Sequence, residues 1–248
     1  MSKKIEILGV PVHPGTLSRS REKVLSFLDA GIGSRSIYSI NPEIIMAARK
    51  NGKLMKILKE GALNLPDGMG VVWAGRLLNH YVPERVAGYD LVCSLLPFCG
   101  QRGYRVFLLG GEPGVADEAG EKIKKEYPGL DISGTYHGYF SVEEEDEVCA
   151  RIKKAKPDLL LVGMGYPRQE QFIHRNCSRI KVPVSMAVGG TIDVLAGRAR
   201  RAPAWIRKIG LEWLYRIVTL RRWNRFFSLP CFGLLILKEK WRGGIGDA

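Results

Sequence analysis

Between residues 104 and 190, short apolar runs alternate with longer segments whose apolar residues recur at helical spacing. The runs at 104–109, 130–136, 159–164 and 184–188 have the length and composition of buried strands. Helices are predicted between them at about 113–127, at 142–155 and from Pro167 onward. Strands that alternate with helices pair in parallel, so this segment predicts an α/β fold with a Rossmann-like parallel sheet core.

One more strand is predicted upstream, at residues 37–40. Pro42 follows it and is typical of a first helical position. The apolar residues Ile45, Ala48, Leu54 and Leu58 then predict one helix. Since no break in composition occurs before Arg198, residues 1–197 are predicted to form one α/β domain and residues 198–248 a C-terminal helical appendage.

Glycine-rich turns follow three of the predicted strands. They contain Gly110-Gly111, Gly163-Met164-Gly165 and Gly189-Gly190-Thr191. Backbone amides in such turns can bind a diphosphate, and parallel strands bring their carboxyl ends to one edge of the sheet. Each turn alone could equally be a tight connection from strand to helix. The spacing is not Gly-x-Gly-x-x-Gly, which argues against the alternative of a Rossmann oxidoreductase.

The segment 64–91 contains an acid in a glycine-rich turn, Asp67 in Pro-Asp-Gly-Met-Gly, and an arginine about eighteen residues later, Arg85. A carboxylate between glycines can approach a substrate closely, and a guanidinium can bind phosphate with two hydrogen bonds. This pair suits group transfer from a sugar diphosphate. The alternative is a turn that caps a buried helix, with Arg85 on a solvated face.

Four other polar residues lie at the predicted strand ends. Ser39 and Asn41 end the first strand, although Asn41 could simply cap the helix that begins at Pro42. Gln169 lies at the start of the helix after Pro167, where its amide could hydrogen-bond sugar hydroxyls. Asp193 could do the same or cap the turn that follows it.

Neither a metal nor another cofactor is predicted. The chain has no Asp-x-Asp pair, no Cys-x-x-Cys pair and no cluster of its four histidines. The acidic run 143–147 suits a helix start, where negative charge is favourable. Five cysteines without pairing motifs predict free thiols in a reducing cytoplasm. No apolar run approaches the roughly twenty residues of a membrane span.

Positive charge is concentrated at the end of the chain. The net charge is +13, and residues 198–248 hold twelve Lys or Arg against three acids, a net +9. Tryptophans and phenylalanines are interleaved with these basic residues, which is typical of a helix on an anionic membrane surface. A nucleic-acid-binding protein is the alternative, but there the charge would be spread over a polar face rather than mixed with aromatics.

Motifs along nearly the whole chain resemble the WecG/TagA/CpsF family of bacterial glycosyltransferases. The ordered series comprises segments 39–43, 64–91, 108–111, 134–140, 165–170, 188–197, 201–203 and 210–216. The resemblance implies transfer of N-acetylmannosamine or a related sugar from a UDP-sugar to N-acetylglucosaminyl-diphospho-undecaprenol, with inversion. The product would enter teichoic acid or another surface polysaccharide. No cofactor, metal or nucleic acid is implied, and a homo-oligomer is allowed.

The resemblance also implies roles for individual residues. Asp67 would be the catalytic base, supported by Ser39, where family members commonly have threonine. Contacts to the substrates are expected from Asn41, Arg85, Gln169, Asp193, Gly110, Gly111, Gly189, Gly190 and Thr191. Arg216, Arg222 and Arg225 of the appendage would bind the lipid diphosphate or the membrane. The last two match the family only if one residue is deleted before them. The expected location is the cytoplasm, peripheral on the inner face of the plasma membrane.

Overall fold

A six-stranded parallel sheet forms the centre of the computed structural model, which describes residues 4–203, 206, 215 and 228–244. A short antiparallel hairpin, β1 (Ile5–Ile7) and β2 (Val10–Val12), precedes the sheet. The strands of the sheet are β3 (Arg35–Ile40), β4 (Leu63–Pro66), β5 (Arg105–Gly110), β6 (Asp131–Tyr136), β7 (Leu159–Gly163) and β8 (Val184–Ala187). Their order is β4-β3-β8-β7-β5-β6, and every pair is parallel. The predicted α/β fold with a parallel sheet is confirmed.

Helices cover both faces of this sheet. They are α1 (Leu17–Ala30), α2 (Pro42–Lys50), α3 (Gly52–Glu60), α4 (Met69–Leu77), α5 (Gly88–Arg102), α6 (Val115–Glu126), α7 (Glu145–Ala155), α8 (Arg168–Ile180), α9 (Thr191–Leu195) and α10 (Ser228–Gly244). One apolar cluster takes residues from α2, α3, α4, α7, α8 and α10, and a second takes residues from α1, α5, α6 and α9. Strands enclosed on both faces need continuous apolar runs, and all five residues of β7 are buried.

The helices that follow two neighbouring strands lie on opposite faces of the sheet. β5 leads into α6, which belongs to one cluster, and β7 leads into α8, which belongs to the other. Such a reversal opens a crevice at the carboxyl edge of the sheet, where α/β proteins bind their ligands.

The prediction of a single helix after Pro42 is wrong, because the structure has two helices there. Asn51 leaves the helical conformation, with φ −133° and ψ 98°, and its side chain accepts a hydrogen bond from the amide of Leu54 at 3.2 Å. It therefore ends α2 and caps α3. The predicted helices at 113–127 and 142–155 begin at Val115 and Glu145 instead.

The C-terminal helix α10 packs against α2 and α4. Phe232 is 2% exposed and Ile236 is completely buried, and both belong to the cluster that contains Ile44 and Ile45 of α2. Residues beyond the predicted boundary at 198 thus share a core with the α/β domain. Among the described helices, none is long and apolar enough to cross a membrane.

Candidate active site at the carboxyl edge of the sheet

Asp67 lies at the edge where β3 and β4 end together. Ile40 and Pro66 are partners in the strand register, and the amide of Asp67 donates to the carbonyl of Ile40 at 2.8 Å. The amide of Val86 donates to the carbonyl of Pro66 at 2.9 Å. These two backbone bonds bring the Asp67 turn, the end of β3 and the segment that carries Arg85 to one place, as the sequence predicts.

Two glycines shape the turn that carries Asp67. Gly68 has φ +104°, which strongly favours glycine. A Cβ on Gly70 would lie 2.7 Å from Cγ of Pro42, so only glycine lets α4 approach the start of α2 this closely. The turn therefore holds the half-buried Asp67 at the end of β3, close to the start of α2.

Ser39 and Asn41 have different surroundings. The side-chain oxygen of Asn41 accepts from the amide of Ile44 at 2.9 Å, so the alternative of a helix cap is confirmed. The Ser39 hydroxyl is buried, and no hydrogen-bond partner for it occurs within the described part of the chain. A Cβ on Gly88 would lie 2.8 Å from this oxygen, so the start of α5 packs directly over Ser39. Contacts of both residues with a substrate stay a prediction.

Four glycines form a surface of backbone at the centre of the edge, which we call the glycine floor: Gly110, Gly138, Gly163 and Gly189. A Cβ on Gly110 would lie 2.4 Å from the carbonyl oxygen of Gly163, and one on Gly163 would lie 2.6 Å from that of Gly189. A Cβ on Gly138 would lie 3.1 Å from the Cα of Gly110. The ends of β5, β7 and β8 thus approach one another at backbone distance, which confirms that the predicted turns converge.

Asp193 lies over two of the glycine turns. A Cβ on Gly111 would be 3.5 Å from one of its carboxylate oxygens, and a Cβ on Gly190 would be 3.8 Å from the other. Its backbone carbonyl accepts hydrogen bonds from the amides of Arg198 and Ala199 at 2.9 and 3.1 Å. The side chain of Asp193 is therefore beside Gly111, which follows the last residue of β5.

Gln169 and Thr191, both predicted to contact substrate, hold the turn after β8 through hydrogen bonds. The Gln169 oxygen accepts from the amide of Gly189 at 3.0 Å, and its nitrogen donates to Glu170 at 2.8 Å. The Thr191 hydroxyl donates to the carbonyl of Val188 at 2.6 Å. Because both side chains are buried, the structure gives them a role in shaping the site, and direct contact with a sugar remains a prediction.

Sequence reasoning missed Glu170, a completely buried acid next to Gln169. Burial raises the pKa of its carboxyl to about 7, although the Gln169 side chain opposes this shift by hydrogen bonding. Its Oε2 atom is buried, with no hydrogen-bond partner in the described part of the chain. Helical spacing could have identified it, because Glu170 precedes Ile173 by three residues and therefore lies on the buried face of α8.

Arg85 belongs to a cluster that also contains Asp90 and Arg201. The Asp90 carboxylate lies 3.4 Å from Arg85, and it receives two hydrogen bonds from Arg201, at 2.6 and 3.1 Å. The Arg85 side chain is only 16% exposed, so the alternative of a solvated face is wrong. We call these three residues the Asp90 cluster. No local pattern could connect Arg201 with Asp90, because 111 residues separate them in the chain.

The remaining predicted site residues, Arg216, Arg222 and Arg225, lie outside the described residues. Within residues 4–203 and 228–244, no three His, Cys, Asp or Glu side chains come together as possible metal ligands.

Comparison with known proteins identifies the family. The model of the "Glycosyl transferase WecG/TagA/CpsF family" matches residues 5–245. An N-acetylglucosaminyldiphosphoundecaprenol N-acetyl-beta-D-mannosaminyltransferase of Bacillus subtilis (strain 168) is 39% identical over 215 residues, which cover 86% of this chain and 83% of the relative. A protein of the same name from Staphylococcus aureus (strain NCTC 8325 / PS 47) is 33% identical over 239 residues, 96% of this chain and 93% of the relative.

These matches disfavour the nucleic-acid-binding and oxidoreductase alternatives, since they extend over both the sheet and the C-terminal segment. The chain therefore belongs to the glycosyl transferase WecG/TagA/CpsF family and is a glycosyltransferase.

Proposed function

We propose that the protein transfers N-acetylmannosamine from a UDP-linked donor to N-acetylglucosaminyl-diphospho-undecaprenol, with inversion at the anomeric carbon. The names of the relatives state this sugar and this acceptor. Within the chain, the observation that carries the proposal is the position of Asp67, at the same carboxyl edge of the sheet as the segment of Arg85 and the glycine floor. A wall teichoic acid or another surface polysaccharide would be the product polymer.

Asp67 acts as the general base in this proposal. Its carboxylate accepts the proton of the acceptor hydroxyl while that oxygen forms a bond to the anomeric carbon of the donor. The bond from this carbon to the β-phosphate oxygen breaks on the opposite side, and UDP leaves with the electron pair. One displacement of this kind inverts the anomeric centre. Asp67 is half-buried, so part of the residue remains accessible at this edge.

The departing diphosphate needs positive partners. Arg85 and the backbone amides of the glycine turns supply them at the same edge of the sheet. The absence of an Asp-x-Asp pair from the whole sequence supports transfer without a divalent metal. We expect Asp193, whose carboxylate lies near Gly111 and Gly190, to contact the nucleotide or the sugar.

Replacement of Asp67 by asparagine tests the base directly. Asp67→Asn keeps the shape of the side chain and removes the proton acceptor, so turnover should fall roughly 10²–10⁴-fold while UDP still binds. Asp131→Asn is a matched control, because Asp131 begins β6 at the opposite edge of the sheet and pairs with Arg105 at 3.2 Å. If Asp67→Asn retains more than about a third of wild-type turnover, Asp67 is not the base.

Attachment to an anionic membrane is the second part of the proposal. The exposed face of α10 presents Leu234 and Trp241 near Lys238 and Lys240, which suits an interfacial helix. Arg216, Arg222 and Arg225 would add to the attraction, by about 1 kcal/mol for each basic residue near the surface. The wild-type protein should therefore sediment with vesicles that contain anionic lipid.

Charge reversal tests this attachment better than truncation, because truncation would also remove Phe232 and Ile236 from the core. Replacement of the three tail arginines by glutamate should release the protein from vesicles. The exposed lysines Lys53, Lys125 and Lys154, replaced by glutamate, form a control of equal charge. If the arginine variant also fails with a water-soluble acceptor, these arginines act in the active site, and if it stays on vesicles, the membrane role is wrong.

A further inference from the structure

We propose that Asp90 is a positioning residue that holds Arg85 and Arg201 as a pair of guanidinium groups for the diphosphate of a substrate. The inference rests on the proposed function and adds two residues to that site, Asp90 and Arg201. Its basis is the Asp90 cluster, where one carboxylate joins two arginines that are 16% and 13% exposed.

The first argument is the charge of the cluster. The cluster brings two guanidinium groups to one carboxylate in a largely enclosed place, where electrostatic interactions are less screened than in water. A carboxylate between two arginines also offsets their mutual repulsion, so both can stay close together before any ligand binds. Pre-ordered guanidinium groups bind phosphate without a further loss of side-chain freedom.

The second argument is the orientation of Arg201. Its two terminal nitrogens bind the two carboxylate oxygens of Asp90, and its guanidinium carbon lies 4.3 Å from the centre of the Tyr89 ring. The planar group is thus fixed both at its edge, by Asp90, and on its face, by Tyr89. A lysine could reproduce the charge but not this fixed plane.

The third argument is location. Asp90 lies in the first turn of α5, and this helix begins at Gly88 directly over the Ser39 hydroxyl and near the Cα of Val188. Val188 follows β8 and precedes Gly189 of the glycine floor, while Ser39 lies near the end of β3. The Asp90 cluster is therefore held at the carboxyl edge, at the start of the helix that covers the ends of β3 and β8.

A purely structural role is the competing explanation. Asp90 could serve only to fasten the segment around Arg201 to α5, or to place a negative charge in the first turn of the helix. Asp29 provides a matched comparison, because it joins Arg102, at the other end of α5, through two hydrogen bonds of 2.7 and 2.8 Å and also contacts Tyr104. Replacement of Asp29 should at most lower the stability of the fold, and should leave substrate binding unchanged.

The experiment compares Asp90→Asn, Asp90→Glu and Asp29→Asn in the full chain. Three quantities are measured for each: the Kd for UDP, the separate kcat and KM values for donor and lipid acceptor, and the melting temperature. Asp90→Asn should weaken diphosphate binding about tenfold or more, since it loses charge-assisted hydrogen bonds that order two arginines. Asp90→Glu should recover most of that loss, and Asp29→Asn should bind and turn over as the wild type does.

The pattern of loss identifies the diphosphate. A higher Kd for UDP in Asp90→Asn, with a higher KM for the donor, means that the cluster holds the nucleotide. An unchanged Kd for UDP with a higher KM for the acceptor alone means that it holds the lipid diphosphate. Normal binding of both substrates by folded Asp90→Asn overturns the inference, as does an activity loss that the fall in folded protein fully explains.

If Asp90→Asn does not fold, Arg201→Gln tests the inference instead. It should show the same selective loss, and normal affinity for both substrates in a folded Arg201→Gln protein would overturn the inference as well. The proposed function fails separately, because then the wild-type protein itself would neither bind UDP nor transfer the sugar.

Discussion

Replacement of the buried Glu170 by glutamine should remove a pH dependence from the stability of the protein. Burial raises the pKa of this carboxyl to about 7 in the folded state, against 4.5 for an ordinary glutamate. Between these values the folded protein holds a proton that the unfolded chain has released, so the free energy of unfolding falls as pH rises from 4.5 to 7 and stays constant above. At 1.36 kcal/mol for each pKa unit, the loss is about 3 kcal/mol.

Urea unfolding at pH 5 and pH 8 measures this loss. Glu170→Gln cannot ionise, so its change in unfolding free energy between the two pH values should differ from that of the wild type by about 2–3 kcal/mol. Other titrating groups cancel in this difference. Glu121→Gln is the control, because the Glu121 side chain is 66% exposed and its replacement should leave the wild-type pH dependence in place. Equal pH dependence in Glu170→Gln and the wild type would refute the reasoning.

Three further predictions concern the glycine floor, the C-terminal helix and metals. Gly163→Ala should impair both folding and UDP binding, since its Cβ would meet the Gly189 carbonyl at 2.6 Å, whereas Gly52→Ala, at the start of α3 with no atom within 4 Å of the added Cβ, should bind UDP normally in a titration. Phe232→Ala should lower the unfolding free energy by about 3–5 kcal/mol in urea, and Leu234→Ala, at an exposed position, by less than about 0.5 kcal/mol. Transfer should continue in EDTA, and complete loss that magnesium or manganese restores would contradict the proposed role of arginine.

The central sheet could be predicted because β5 to β8 alternate regularly with α6 to α8, and local patterns carry that information. The strand β4 was missed, since a run of four residues that ends in Pro66 gives a weak signal. The order of the strands could not be predicted either. It depends on pairing between distant segments, such as Arg35 with Val184, that no local pattern encodes.

The same limit applies to the site. The proximity of Asp67 and Arg85 could be predicted because both residues lie on one short segment of the chain. In the structure, backbone hydrogen bonds hold this segment at the ends of the adjacent strands β3 and β4. The inward direction of the Gln169 side chain could not be predicted. It depends on the amide of Gly189, twenty residues away, and on the buried acid Glu170. Polar residues near a predicted edge can therefore be identified from sequence, but whether they face a ligand or the core depends on tertiary contacts.

The glycine floor has a consequence for inhibition. A molecule bound against Gly110, Gly163 and Gly189 would contact main-chain atoms, and mutation of a side chain cannot remove a main-chain hydrogen-bonding group. The usual escape from an inhibitor, a bulkier residue at the contact, is also closed at Gly110 and Gly163, where even a methyl group would lie within 2.6 Å of a carbonyl oxygen. Resistance at this surface would therefore require a change that also disturbs the packing of the ends of β5, β7 and β8.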